Sequence, residues 1–145
     1  MQEWTTVDKS EWPRGQWDNE PDKAQWIDSG LDCLIVRGPV GALCGYVGVP
    51  ETHPAFGQGY DEQDLGVHGG LTFSGECRPG DEGKGICHTG EVANKVVWWL
   101  GFDCSHAGDT APTMPPFFDD DVYRDFNYVK AQCSNLARQL AELWN

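Results

Sequence analysis

The chain has 145 residues, 39% of them hydrophobic, with 7 Trp, 6 Phe and 4 Tyr and a formal net charge of −13. Its aromatic content excludes a disordered chain, and its length fits one domain over residues 1–145. The charge argues against general nucleic-acid binding and against anionic membrane surfaces, because both need clustered Lys and Arg.

The densest acidic run, Asp119-Asp120-Asp121, is too short for the long carboxylate face of a DNA mimic. No stretch approaches the roughly 20 apolar residues of a membrane span. Met1-Gln2-Glu3-Trp4 lacks the basic and apolar regions of a signal peptide. The expected location is therefore the cytoplasm. Cys33, Cys44, Cys77, Cys87, Cys104 and Cys133 are expected there as reduced thiols, several of them core residues.

In chain order, residues 1–23 read as a polar surface arm anchored by Trp4, Trp12 and Trp17. Gln25–Asp28, Cys33–Arg37 and Ala42–Val49 read as strands of an antiparallel meander, with a turn at Gly30 and a stop at Pro50. Gly45 and Gly48 signal a bulge or a close backbone approach. Residues 50–64 read as a loop placed like a lid. Leu65–Phe73 reads as a strand broken by Gly69-Gly70, and residues 75–95 as a Gly-rich surface loop. Val96–Phe102 is apolar on both faces, which predicts a central strand covered on both sides. Val122, Phe126, Val129, Cys133, Leu136, Leu140 and Leu143 recur at alternating spacings of four and three. That seam predicts one helix over residues 121–143, with Asp119–Asp121 at its N-cap and at the positive end of its dipole. The fold class is α+β: an antiparallel sheet of about four or five strands with one long C-terminal helix packed on it.

Phosphate-loop, nucleophile-elbow, His-Glu-x-x-His and Cys-x-x-Cys patterns are all absent. Cys77 and Cys87-His88 could be completed to a zinc set by Cys104 or His106, but at a spacing that fits no standard site. Three segments carry the remaining chemistry. In Asp103-Cys104-Ser105-His106-Ala107-Gly108-Asp109, a carboxylate stands three residues from a histidine at a strand end, where it can fix the imidazole tautomer. The plain alternative is a structural hydrogen-bond network. In Asp64-Leu65-Gly66-Val67-His68-Gly69-Gly70-Leu71-Thr72, alternation puts His68 and Thr72 on one wall beside two permissive glycines. The loop from Pro50 to Asp64 supplies Glu51 and Asp64 as polar contacts at a rim. His68 to Thr72 and His106 to Thr110 share a His-x-Gly-x-Thr frame. Two-histidine phosphoesterases pair His and Thr across one residue rather than three, so the match is off pattern.

Leu43-Cys44-Gly45-Tyr46-Val47-Gly48-Val49-Pro50-Glu51 with His53-Pro54, Val67–Thr72, Trp98–His106, Tyr123-Arg124-Asp125 and Tyr128-Val129 together resemble a family of small proteins encoded by bacteriophages and bacteria. The resemblance runs from about Trp17 to Leu140. It implies a phage or prophage accessory protein in the bacterial cytoplasm. Many such proteins counter host defence, some by sequestering or cleaving nucleotide signals.

These readings converge on one expectation. His68, Asp103, His106 and Asp109 form a site at one end of the sheet, with Glu51, Asp64 and Thr72 near it and Tyr46 or Trp99 available for stacking. The ligand is a small polar molecule of nucleotide-like chemistry. If the protein is an enzyme, it is a hydrolase of phosphodiesterase type, with Asp103 orienting His106. A divalent metal held by the Asp/His set stays open. The alternative class is non-catalytic: a ligand-sequestering protein, or an acidic inhibitor of a host enzyme.

Overall fold

The computed structural model describes residues 1–78 and 96–144. Six strands form one antiparallel sheet: β1 (Gln2–Trp4), β2 (Lys23–Asp28), β3 (Leu31–Arg37), β4 (Leu43–Val49), β5 (Phe73–Cys77) and β6 (Val97–Asp103), in the order β1-β2-β3-β4-β6-β5. Two short segments, β7 (Asp109–Thr110) and β8 (Val122–Tyr123), pair in parallel outside it, and among the described residues one α-helix, α1 (Phe126–Glu142), follows the strands. The architecture is α+β, with slightly more strands than the sequence suggested. The extra pairing comes from β1, which adds part of the N-terminal arm to the sheet edge.

The β2–β3 hairpin turns on Ser29 (φ 53°) and Gly30 (φ 77°), the two positive φ values of a type I′ turn. β3 and β4 are buried along nearly their whole length because both faces of the sheet are covered. On one face α1 packs Val129, Cys133, Leu136 and Leu140 against Ile35, Val47, Leu100 and Phe102. A smaller cluster of Leu34, Tyr46, Cys77, Val97 and Trp99 lies apart from it. β4 carries no bulge, and its pairing with β6 is unbroken from Cys44↔Asp103 to Val49↔Trp98. Gly45 and Gly48 serve close approach instead: a Cβ at Gly45 would come within 2.5 Å of Phe102 and 2.6 Å of the Cys133 sulfur.

The arm is fixed less by its tryptophans than by charge. Asp22, fully buried, accepts from the Thr6 and Val7 amides and pairs with Lys9 (2.9 Å) and Arg37 (2.7 Å). Arg37 spends its remaining donors on Gly41 O, Tyr123 Oη, Glu20 and Pro21 O. Trp17 meets Tyr123 edge-on at 5.0 Å, whereas Trp4 stays exposed.

Four expectations about elements are corrected. The helix begins at Phe126, with Asp125 as its N-cap accepting from the Tyr128 amide. Asp121 instead accepts from the amides of Phe117 and Phe118 and closes a turn before β8. Residues 65–72 are no strand. Gly66 is bound to Gln139 and Asn135 of α1, Leu65 and Val67 join the helix-side core, and the ladder starts only at Phe73. The supposed surface loop from residue 75 therefore begins inside β5, and residues 79–95 lie outside the described ones. The segment imagined as a lid is pinned: His53 is buried, accepts from the Ala55 amide at Nδ1 and meets Leu140 O at Nε2.

The reduced-thiol expectation also needs correction. Cys77 is disulfide-bonded. Cys33, Cys44, Cys104 and Cys133 are free thiols. Burial raises all four, Cys44 to about 11 and Cys33 to about 12, so none is poised as a nucleophile. Among the described residues no helix is long and apolar enough to cross a membrane.

Candidate functional site

Three segments distant in sequence meet at Asp109. The first is the turn after β6, in which the Asp109 amide donates to His106 O and Gly108 takes φ 93°. The second is the turn Val67–Gly70, closed by the Gly70 amide on Val67 O with Gly69 at φ 69°. The third is the stretch entering α1, which parallel β7–β8 pairing (Asp109↔Val122) lays alongside the first.

The Asp109 side chain is completely buried and takes four hydrogen-bond contacts. His68 Nε2 lies 3.0 and 2.9 Å from its two oxygens, Arg124 Nε donates at 2.8 Å, and the His106 amide donates at 3.0 Å. Burial pushes the Asp109 carboxyl up, but Arg124, His68 and the His106 amide outweigh it and hold the group below the usual carboxylate range. An ionised Asp109 can only accept. A neutral His68 therefore carries its hydrogen on Nε2 and accepts at Nδ1 from the Tyr128 hydroxyl, 2.7 Å away. The Arg124 guanidinium lies 5.2 Å from the Tyr128 ring centroid, and the His68 amide donates to Gln132 Oε1.

His106 stands beside this chain, its ring centroid 6.1 Å from that of His68. Its Nε2 is shielded from solvent and 3.2 Å from Asp103 Oδ1, off the line that a hydrogen bond needs. Gly69 packs on the Cδ2–Nε2 edge of the ring, which leaves Nδ1 on the side away from Gly69. Asp103 is held in turn by the Ser105 amide (3.1 Å), the Ser105 hydroxyl (2.9 Å) and the Thr72 hydroxyl (3.2 Å). Burial pushes the Asp103 carboxyl up, but the Ser105 and Thr72 hydrogen bonds outweigh it, and the group stays ionised below the usual carboxylate range. His106 and Asp109 also line a cleft of about 500 Å³, walled opposite by Met114, Pro115, Phe117 and Phe118.

The structure thus brings together His68, Asp103, His106, Asp109 and Thr72. Other sequence candidates fall elsewhere. Trp99 is fully buried and Tyr46 nearly so, packed edge-on against Phe73, so neither has a face to offer a ligand. Glu51 follows Val49, which pairs with Trp98, and so sits at the opposite end of β6 from Asp103. Asp64 is exposed ahead of the stretch bound to α1. Cys77, being disulfide-bonded, offers zinc no thiolate, and Cys87 and His88 lie outside the described residues. Among the described residues, no three His, Cys, Asp or Glu side chains converge as a metal-ligand set.

Arg124 and Tyr128 escaped the sequence reading of the site, although their segment was among the distinctive motifs. Tyr128 is one turn from Arg124, and that i, i+4 spacing at the helix entrance was the available signal. Phe117 and Phe118, the aromatic residues that do line the cleft, sit in a Pro-rich stretch with no periodicity to mark them.

The molecule is an α+β protein with two neighbouring histidines, each beside a carboxylate, and one of them, His106, lines a cleft. Comparison with protein-family models, with curated proteins and with solved structures finds no match.

Proposed function

We propose that this protein binds a small polar, nucleotide-like ligand in the cleft beside His106 and hydrolyses it by histidine acid–base chemistry. The observation that carries the reading is His106 at the cleft wall, its Nε2 3.2 Å from ionised Asp103 and its ring centroid 6.1 Å from that of His68, which is hydrogen-bonded to Asp109. Asp103 beside Nε2 favours the tautomer with a free lone pair on Nδ1, the form of a general base. Asp109, His68 and Tyr128 form a hydrogen-bonded chain that can accept or return a proton through the tyrosine hydroxyl. Phe117 and Phe118 offer apolar faces for a planar base. We infer the setting, a bacterial cell, and the role, a counter-defence activity on a nucleotide signal, from the resemblance of the sequence motifs to phage- and bacterium-encoded proteins.

The test is turnover of a panel of linear and cyclic nucleotides, read by mass spectrometry. Wild type is expected to cleave at least one, and His106→Ala and His68→Ala each to lose about a hundredfold or more. Intact nucleotide released from heat-denatured wild type, with no product, would replace hydrolysis by sequestration.

A second reading has its own observation. Phe117 and Phe118 are 86% and 63% exposed beside the exposed Asp119 and Asp120, a surface suited to an acidic inhibitor of a host enzyme. Charge reversal at Asp119 and Asp120 would abolish that activity and leave nucleotide turnover intact.

A further inference from the structure

Two arginines of this chain are held by buried aspartates, and they spend their donors differently. Arg37 is consumed: its Nε, Nη1 and Nη2 all have acceptors within the protein. Arg124 commits only Nε, to Asp109 at 2.8 Å. Its two terminal amino groups have no acceptor among the described residues, and its side chain is 26% exposed. The guanidinium plane is nevertheless fixed at two places, by that bond and by the Tyr128 ring at 5.2 Å. A guanidinium that is held in place with its fork open is prepared for an oxyanion, because ordering the side chain has already been accomplished by the fold. The surrounding charge sharpens the point. At a net charge of −13 the protein repels anions in bulk, so an anionic ligand needs a local cation to enter.

We propose that Arg124 is the anion-recognition residue of the candidate site and that the ligand carries a phosphate ester, which the open fork of Arg124 grips. This rests on the reading of the cleft lined by His106 and Asp109 as the ligand site; Arg124 does not line that cleft itself and is tied to it through its bond to Asp109. A carboxylate would share the fork, but a phosphate has three oxygens and up to two charges to set against one cation. Asp109 then has a double role, holding Arg124 by one oxygen and His68 by both. Recognition of the anion and orientation of the proton relay are thereby tied to the same carboxylate.

The experiment is titration of the full chain with AMP, adenosine, inorganic phosphate and acetate, followed by calorimetry and by the side-chain NMR signals of Arg124 and His68. AMP is expected to bind about tenfold or more tighter than adenosine, phosphate to compete with it and acetate not to. Arg124→Gln is expected to reduce AMP affinity to that of adenosine, while Arg138→Gln, on the exposed face of α1, leaves it unchanged. Arg124→Lys keeps the charge without the fork, and a loss of about threefold or more there supports the proposal even if the Gln variant folds poorly. His106→Ala is expected to keep AMP affinity within about threefold whatever it does to turnover, so failure of the hydrolytic reading and failure of this one are distinguishable. Equal binding of AMP and adenosine, competition by acetate as strong as by phosphate, no binding of AMP at all, or wild-type AMP affinity in a folded Arg124→Gln variant would each overturn the proposal.

Discussion

Gly69 lies against the imidazole of His106 so closely that a Cβ there would come within 2.4 Å of Cδ2 and 2.6 Å of Nε2. The backbone at Gly69 also has φ 69°, a conformation that other residues adopt at a cost. Gly69→Ala should therefore displace the His106 ring as well as strain the turn, lowering stability by about 1–3 kcal/mol. Gly57→Ala is the matched comparison. Gly57 has φ 79° but nothing within 4 Å of a Cβ, so it reports the backbone cost alone, about 1 kcal/mol. Urea denaturation of both variants, with the His106 ring signals followed by NMR, checks this. Unmoved His106 signals in Gly69→Ala would show that the contact does not hold the ring.

Asp109→Asn keeps the shape and removes the charge. The amide cannot satisfy the His68, Arg124 and His106 donors together, and a cation loses its counter-charge. The expected loss is about 2–3 kcal/mol, below that of a fully enclosed pair because Arg124 is partly in solvent. Thermal melts give the stability, and nitrogen NMR of His68 should show the ring no longer confined to the Nε2–H tautomer. An unchanged tautomer would remove Asp109 from its orienting role.

Acid should find the same groups. Asp22, Asp103 and Asp109 all titrate below their ordinary value of 3.8 in the folded state. Their contribution is present in full above the unfolded value and is lost as pH falls through the lower folded ones. The urea midpoint is therefore expected to hold steady from neutral pH to about pH 5 and fall steeply below about pH 4. Asp109→Asn should make that fall shallower. A midpoint that rises on acidification would contradict the assignment.

The arm gives a separable prediction. Arg37→Met leaves Asp22 buried with only Lys9 as a cation and strips Glu20 and Tyr123 of a shared partner. A loss of about 3 kcal/mol or more is expected, together with new protease cleavage within residues 5–21. Cleavage confined to other parts of the chain would show that the arm is anchored some other way.

Much of the sheet was legible in the sequence because β3, β4 and β6 are predominantly apolar, with Val, Ile, Trp, Tyr and Phe among them, and β2 carries Trp26-Ile27 ahead of the Ser29-Gly30 turn. The helix was legible from its four-and-three seam, but its start was not. Asp119–Asp121 and Asp125 are equally good caps in sequence, and only the β7–β8 pairing decides that Asp125 takes the position. Residues 65–72 imitate a strand because Leu65, Val67 and Leu71 alternate. The backbone bonds of Gly66 and His68 go to helix side chains, and only the Thr72 amide reaches the neighbouring strand, at Gly101 O, a tertiary fact without a local signature. The proximity of His68 to His106 followed from both lying near glycines at the ends of apolar segments. Their partners did not follow: Trp99 and Tyr46 look like stacking surfaces in a sequence, and burial removes them.

Cysteine chemistry is the simplest check of all. Denatured, unreduced protein treated with iodoacetamide should be labelled at Cys33, Cys44, Cys104 and Cys133 and spared at Cys77 until a reductant is added. Labelling of Cys77 without reductant would return it to the free thiols.

The convergence on Asp109 has a consequence for the order in which the protein becomes competent. His68 and His106 are made early, but Arg124 and Tyr128 belong to the entrance of α1, which follows every strand of the sheet in the chain. Until that last element docks, Asp109 has no cation, His68 has nothing at Nδ1, and the guanidinium has no fixed plane. A ribosome that has released the whole sheet still holds a site without its arginine and tyrosine, and the Asp109 network is completed only when α1 has been made and docked.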